Sequence, residues 1–150
     1  MIHEILQPPE WPRPKGYANG IAARGRQVFI AGQIGWDAQG RFVSDTLAGQ
    51  VRQALNNIAQ VLAQARGTPD HLVRLTWYVL SREAYYRELH DIGAAYTAEL
   101  GRNFPAMSVV QVSALMEQQA LVEIEATAVI PDDASDSTIK RPVHGNLASA

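Results

Sequence analysis

The chain has no cysteine among its 150 residues, which excludes disulfides, thiolate metal sites and thiol nucleophiles together. An absence of disulfides fits a cytoplasmic protein. No charge of one sign dominates: the net charge is −2 and the pI about 6.1, so there is no global electrostatic footprint for nucleic acid or an anionic membrane. No apolar run approaches the roughly 20 residues that span a bilayer, and the N-terminus lacks the basic and apolar regions of a signal peptide. The four histidines, His3, His71, His90 and His144, show no ligand spacing, so neither a metal nor any other cofactor is expected. Serines and threonines form no nucleophile-elbow pattern.

What is present reads as one ordinary globular domain, 47% hydrophobic and 19% charged, between two different ends. Residues 1–15 are a proline-rich arm, with Pro8, Pro9, Pro12 and Pro14 favouring extended backbone and Trp11 expected to anchor it on an apolar patch. Residues 16–131 form the domain. From 132 to 150 the chain is rich in Asp, Ser and Ala, lacks periodicity, and is expected to be a flexible tail.

Within the domain, residues 17 to 23 and 26 to 31 are expected to pair as a hairpin around Arg24-Gly25. Glycines in Ala31-Gly32-Gln33-Ile34-Gly35 allow close approach by a ligand, and Asp37 to Gly40 reads as a turn. Leu47, Val51, Ala54, Leu55, Ile58, Val61, Leu62 and Ala65 recur at helical spacing. Ser44, Asp45 or Thr46 suits the start of that helix and Gly67 its end. Gln50, Gln53, Asn57 and Gln60 are taken as its solvated face.

Period-two alternation from Leu72 to Leu80 predicts a strand. Ser81 caps a second helix running to about Leu100, with Tyr85, Leu89, Ile92, Tyr96 and Leu100 as its inner stripe. Strands follow at 107 to 113, beginning with Met107, and at 120 to 130. The result is an α+β domain, β-β-α-β-α-β-β, with two helices on one face of a single mixed sheet. The last strand carries apolar residues on both faces, including Leu121 and Val129. Two helices cover only one face, so self-association is expected.

Three stretches carry a family resemblance: Gly32-Gln33, Asn103-Phe104-Pro105-Ala106-Met107-Ser108-Val109-Val110-Gln111-Val112, and Val122-Glu123-Ile124-Glu125-Ala126. Over roughly residues 16 to 130 the chain resembles the RidA/YjgF (Rid, UK114) family of imine and enamine deaminases. The resemblance implies a chorismate-mutase-like fold, a homotrimer around a central barrel, and small-molecule clefts between subunits. Neither a nucleic-acid nor a membrane partner is expected, given the net charge of −2 and the lack of a spanning segment.

It also implies roles for particular residues. In such deaminases an arginine following F-P-A clamps the carboxylate of a 2-imino acid, and a glutamate on the last strand positions the attacking water. The glutamate matches Glu123, suited to general acid–base work in a partly apolar cleft; the same carboxylate also fits an interface residue paired to a neighbour's arginine. The arginine is replaced by Met107. The serine usual before G-Q is Ala31, beside Gly32; the cysteine two positions after the arginine is Val109; and the helix asparagine is Gly93. Tyr17 and Glu123 persist.

Without the guanidinium, a carboxylate in the cleft loses a charge-assisted bidentate contact. Arg102, or Arg24 or Arg26 of another subunit, is the candidate replacement. Met107, with Phe104 and Trp36 as aromatic walls, suits a larger or less charged ligand. Three readings follow: a deaminase with altered substrate, a non-catalytic trimeric binding protein, and the endoribonuclease or translation-inhibitor role, which the acidic pI disfavours.

Overall fold

The computed structural model describes residues 2–132; the expected flexible tail, 132–150, lies outside them except for its first residue. The main sheet has four strands in the order β3-β6-β4-β5: β3 (Arg26–Gln33), β4 (Leu72–Val79), β5 (Ala106–Gln111) and β6 (Val122–Ile130). β6 runs antiparallel to both neighbours, whereas β4 and β5 are parallel. The mixed α+β architecture expected from the element order is present.

The expected hairpin is not. Short β2 (Gly20–Ala22) pairs with β1 (Glu4–Leu6) in a separate two-stranded sheet, while β3 pairs with β6. The arm thus folds back onto the residues after it, and the turn at Gly25, with φ +144, redirects the chain between sheets. Trp11 is 57% exposed and does not anchor the arm through its ring. The Gln7 side-chain amide holds this segment instead, donating to the Trp11 carbonyl at 3.1 Å.

Helix α1 (Leu47–Gln64) begins at Thr46, whose hydroxyl accepts from the Gly49 N–H at 3.1 Å. Its last turn closes at Ala65, and Arg66 takes the left-handed conformation, φ 60, that was expected near Gly67. Val51, Ala54, Leu55, Ile58 and Leu62 are fully buried, over the inner face of β3 and β6.

The polar side of α1 is not simply solvated. Gln50 is 1% exposed; its amide donates to the carbonyls of Ser44 and Gln119 and accepts from the Leu121 N–H at 2.8 Å. Asn57 donates to the carbonyls of Ile34 and Trp36. These side chains satisfy backbone groups of two loops that lack strand partners.

The second predicted helix is two, α2 (Arg82–Arg87) and α3 (Leu89–Leu100). Ser81 caps α2, its hydroxyl accepting from Ala84 N–H at 3.0 Å. The break falls at Glu88, whose carboxylate accepts from the Ala48 N–H at 3.2 Å. It thereby faces the start of α1, a first turn with no acidic residue of its own. Ile92, Ala95, Tyr96 and Leu100 are buried, but Leu89 is exposed. Gly101, φ 70, ends α3.

The helices cover the inner face of the sheet. On the outer face, the exposed apolar side chains are Phe29, 74% exposed, and Val110, 44% exposed, rather than the expected Leu121 and Val129. Val129 is buried within the chain itself.

Candidate functional site

Strand register divides the predicted site residues between the two faces of the sheet. β5 begins at Ala106, one residue earlier than expected, so Met107 is its second residue and lies opposite buried Leu75; Val109 lies opposite buried Trp77. Both therefore point to the helix-covered face. Glu123 lies opposite Tyr78, and Glu125 opposite Thr76. Both carboxylates point to the outer face, sharing it as a two-residue spacing requires.

On the inner side, β5 is the edge strand and the helices do not fully cover it. A groove of about 1130 Å³ remains, bounded by Trp77, Met107 and Val109 on the sheet, by Tyr85, Gly93 and Tyr96 on the helices, and by Tyr17 and Phe104 at one end. Tyr17 is fixed there by its neighbour: Ala18 is buried, bridges to Ala106 and donates its N–H to the Pro105 carbonyl at 3.0 Å.

Phe104 stacks on Tyr96, with ring centroids 5.3 Å apart and planes 18° from parallel. The Tyr96 hydroxyl donates to the Asn103 carbonyl, and burial pushes its pKa up. It is a neutral, structural phenol that holds the turn into β5. Gly93 faces open space where a Cβ would stand, which widens the groove. Trp77 packs edge-on to Tyr85 at 6.5 Å, and its buried indole N–H has no hydrogen-bond partner among the described residues.

On the outer side, Gly32 and Glu123 meet. A Cβ at position 32 would overlap the Glu123 carboxylate, so only glycine lets that side chain lie over the end of β3. Beside it, the Tyr78 hydroxyl donates to Glu125 at 2.8 Å; this bond to a carboxylate is the leading reason the tyrosine pKa is raised. Glu125 is thereby occupied, while Glu123 has no hydrogen-bond or ion-pair partner among the described residues. Ala31 lies nearby on the exposed end of β3.

The structure thus brings Tyr17, Gly93, Phe104, Met107 and Val109 together, brings Gly32 and Glu123 together, with Ala31 lining a cleft with Glu125, and separates the two groups by the thickness of the sheet. Arg102 belongs to neither; it lines a second cleft adjoining the groove. Trp36 packs on Phe42 at 6.1 Å and is not a groove wall. Trp77 and Tyr85 were missed as site residues because alternation and helical spacing mark them as core. Arg26 donates to the Ala65 carbonyl at 2.8 Å and is committed to the end of α1. Among the described residues no group of three or more His, Cys, Asp or Glu is placed to hold a metal, and no helix is long and apolar enough to cross a membrane.

This fold has known counterparts. The family model described as Endoribonuclease L-PSP matches residues 12–130. A RutC family protein of Pyrococcus horikoshii is 33% identical over 85% of this chain and 98% of its own. The human 2-iminobutanoate/2-iminopropanoate deaminase is 28% identical over 86% of this chain and 91% of its own. Among solved structures, the Rid family protein YyfB of Yersinia pestis is similar with a TM-score of 0.75 and 33% identity, covering 87% of this chain and all of that one. The chain belongs to the RidA/YjgF family, the family of the Endoribonuclease L-PSP model.

Proposed function

We propose that the protein is an imine or enamine deaminase whose sites are completed between copies, the groove of one chain facing the Glu123 edge of the next in a trimer around a central barrel. The observation that carries this reading is the division of the site: groove and carboxylate lie on opposite faces of one sheet, so only a second copy brings them together. Exposed Phe29 and Val110 on the outer face support such packing. The family relationship to named deaminases supports the chemistry.

Glu123 would hold a water and take its proton as the oxygen attacks the imine carbon. That proton passes to the imine nitrogen to give the carbinolamine; at its collapse the hydroxyl proton also moves to nitrogen through the Glu123 carboxylate as the carbon–nitrogen bond breaks, releasing one ammonia and one carbonyl product. The substrate differs from a small 2-imino acid, because Met107 offers no charge-assisted bond to a carboxylate at the reacting carbon. The aromatic groove favours a bulkier apolar body.

The test is ammonia release from freshly generated acidic, neutral and aromatic imines, compared with their spontaneous hydrolysis and with Glu123→Gln. Acceleration lost in the variant supports the reading; no acceleration of any imine ends it. A second reading, a trimeric binding protein without catalysis, is favoured by the replacement of the clamping arginine by Met107 and predicts ligand binding without turnover. A ribonuclease role accords less well with a pI of about 6.1, and with it a nucleic-acid partner. The cytoplasm suits a chain without cysteine.

A further inference from the structure

A second cleft, about 690 Å³, adjoins the groove and shares Tyr17 and Phe104 with it. Its charged lining is Arg13 from the N-terminal arm, Arg102 from the turn before β5, and Asp70 from the 3-10 turn Pro69–His71. Two positive groups and one negative leave a net charge of +1. Neither arginine has an ion-pair or side-chain hydrogen-bond partner among the described residues, whose ion pairs use Arg41, Arg52 and Arg87.

The two guanidinium groups come from distant parts of the chain, and particular contacts hold those parts in place. The Ala18–Ala106 bridge pins the arm's exit to the edge strand. Gln7 fastens the loop before Arg13 through the Trp11 carbonyl and accepts from the Asn19 amide at 2.9 Å. Next to Arg102, Asn103 is 6% exposed and donates to the Pro69 carbonyl at 2.8 Å. The cleft is therefore bounded by fixed backbone on both sides.

We infer that this cleft is an anion subsite: Arg13 and Arg102 receive the carboxylate of a ligand whose aromatic or apolar body passes between Tyr17 and Phe104 into the Met107 groove. A guanidinium presents paired donors matched to a carboxylate, and Tyr17 and Phe104, shared by both clefts, give the ligand body an apolar path between them. The arrangement moves the anion away from Met107. It selects ligands with a carboxylate remote from the reacting carbon rather than attached to it. The inference rests on the groove as the ligand site and not on hydrolysis.

Equilibrium titration of the full 150-residue protein with 3-phenylpropanoate and with 3-phenylpropanamide tests it. The acid is expected to bind about tenfold more tightly than the amide, with Arg13→Gln and Arg102→Gln each removing most of that preference. With the wild type alone, raising salt is expected to weaken the acid and spare the amide, a readout that needs no variant to fold. Equal binding of acid and amide overturns the inference, as does a preference that survives both substitutions. Displacement of the acid by inorganic phosphate at the same concentration also overturns it, because the body would then contribute nothing. Acid-selective binding without turnover of any imine sinks the deaminase reading alone, whereas imine turnover with equal acid and amide binding sinks the subsite alone.

Discussion

The Glu123 carboxylate lies over the bare Cα of Gly32: a Cβ at position 32 would overlap its Oε1 and come within 2.8 Å of its Cδ and Cγ. The clash is with the far end of a flexible side chain. Gly32→Ala should therefore turn the carboxylate aside at a stability cost below about 1 kcal/mol, while reducing imine turnover about a hundredfold through misplacement of the water. Thermal melting and ammonia release on the same preparation separate the two effects; unchanged turnover would contradict the role given to Glu123.

Gln50 binds three backbone groups from inside the core. Gln50→Leu keeps similar bulk but strands the Leu121 N–H and two carbonyls, and is expected to cost about 3 kcal/mol in urea unfolding. Gln53→Leu, on the same helix but bonded only to the neighbouring Asn57, should cost less than about 1 kcal/mol. Equal losses would show that Gln50 is an ordinary helix residue.

Restoring a guanidinium at the start of β5 should redirect specificity. Met107→Arg is expected to raise kcat/KM for 2-iminobutanoate relative to a neutral aromatic imine by about tenfold or more, the worth of one charge-assisted contact. Competition between the two substrates measures the ratio. A ratio that does not move would mean that position 107 does not meet the substrate.

The His71 pKa is held below the usual 6.5, by burial first and by nearby His3 second, against the pull of Asp70. Its Nδ1 also accepts from the Thr68 N–H at 2.9 Å, which requires the neutral ring. Because the folded pKa is depressed, the unfolded chain takes up the proton first as pH falls below 6.5. Stability is therefore full above that value and declines as pH falls toward the folded pKa. Melting curves from pH 7.5 to 5 should show this slope, and His71→Asn should flatten it.

Much of the fold is legible locally. Alternation from Leu72 to Val79 and the apolar spacing from Leu47 to Leu62 each depend on one buried face, and Gly101 ends α3 because its φ is 70. What is illegible depends on distant partners. Gln50 looks solvated until the Gln119 and Leu121 backbone groups, about seventy residues away, reach it. The pairing of β1 with β2 rests on strands of three residues each, too short to show a period. The site follows the same division. Phe104, Met107 and Val109 lie close together in sequence and meet in one groove, but Arg13 joins Arg102 only through the path of the arm.

If one chain carries halves of two different sites, two inactive variants with complementary defects restore each other in mixed assemblies. Glu123→Gln lacks the carboxylate, and Val109→Trp blocks the groove; each alone should be inactive in ammonia release. Unfolded together and refolded as mixed assemblies, they are expected to regain a substantial fraction of wild-type turnover, because some interfaces then pair an intact groove with an intact Glu123. Activity no greater than that of either parent, with mixed assemblies shown to form, would contradict a shared site.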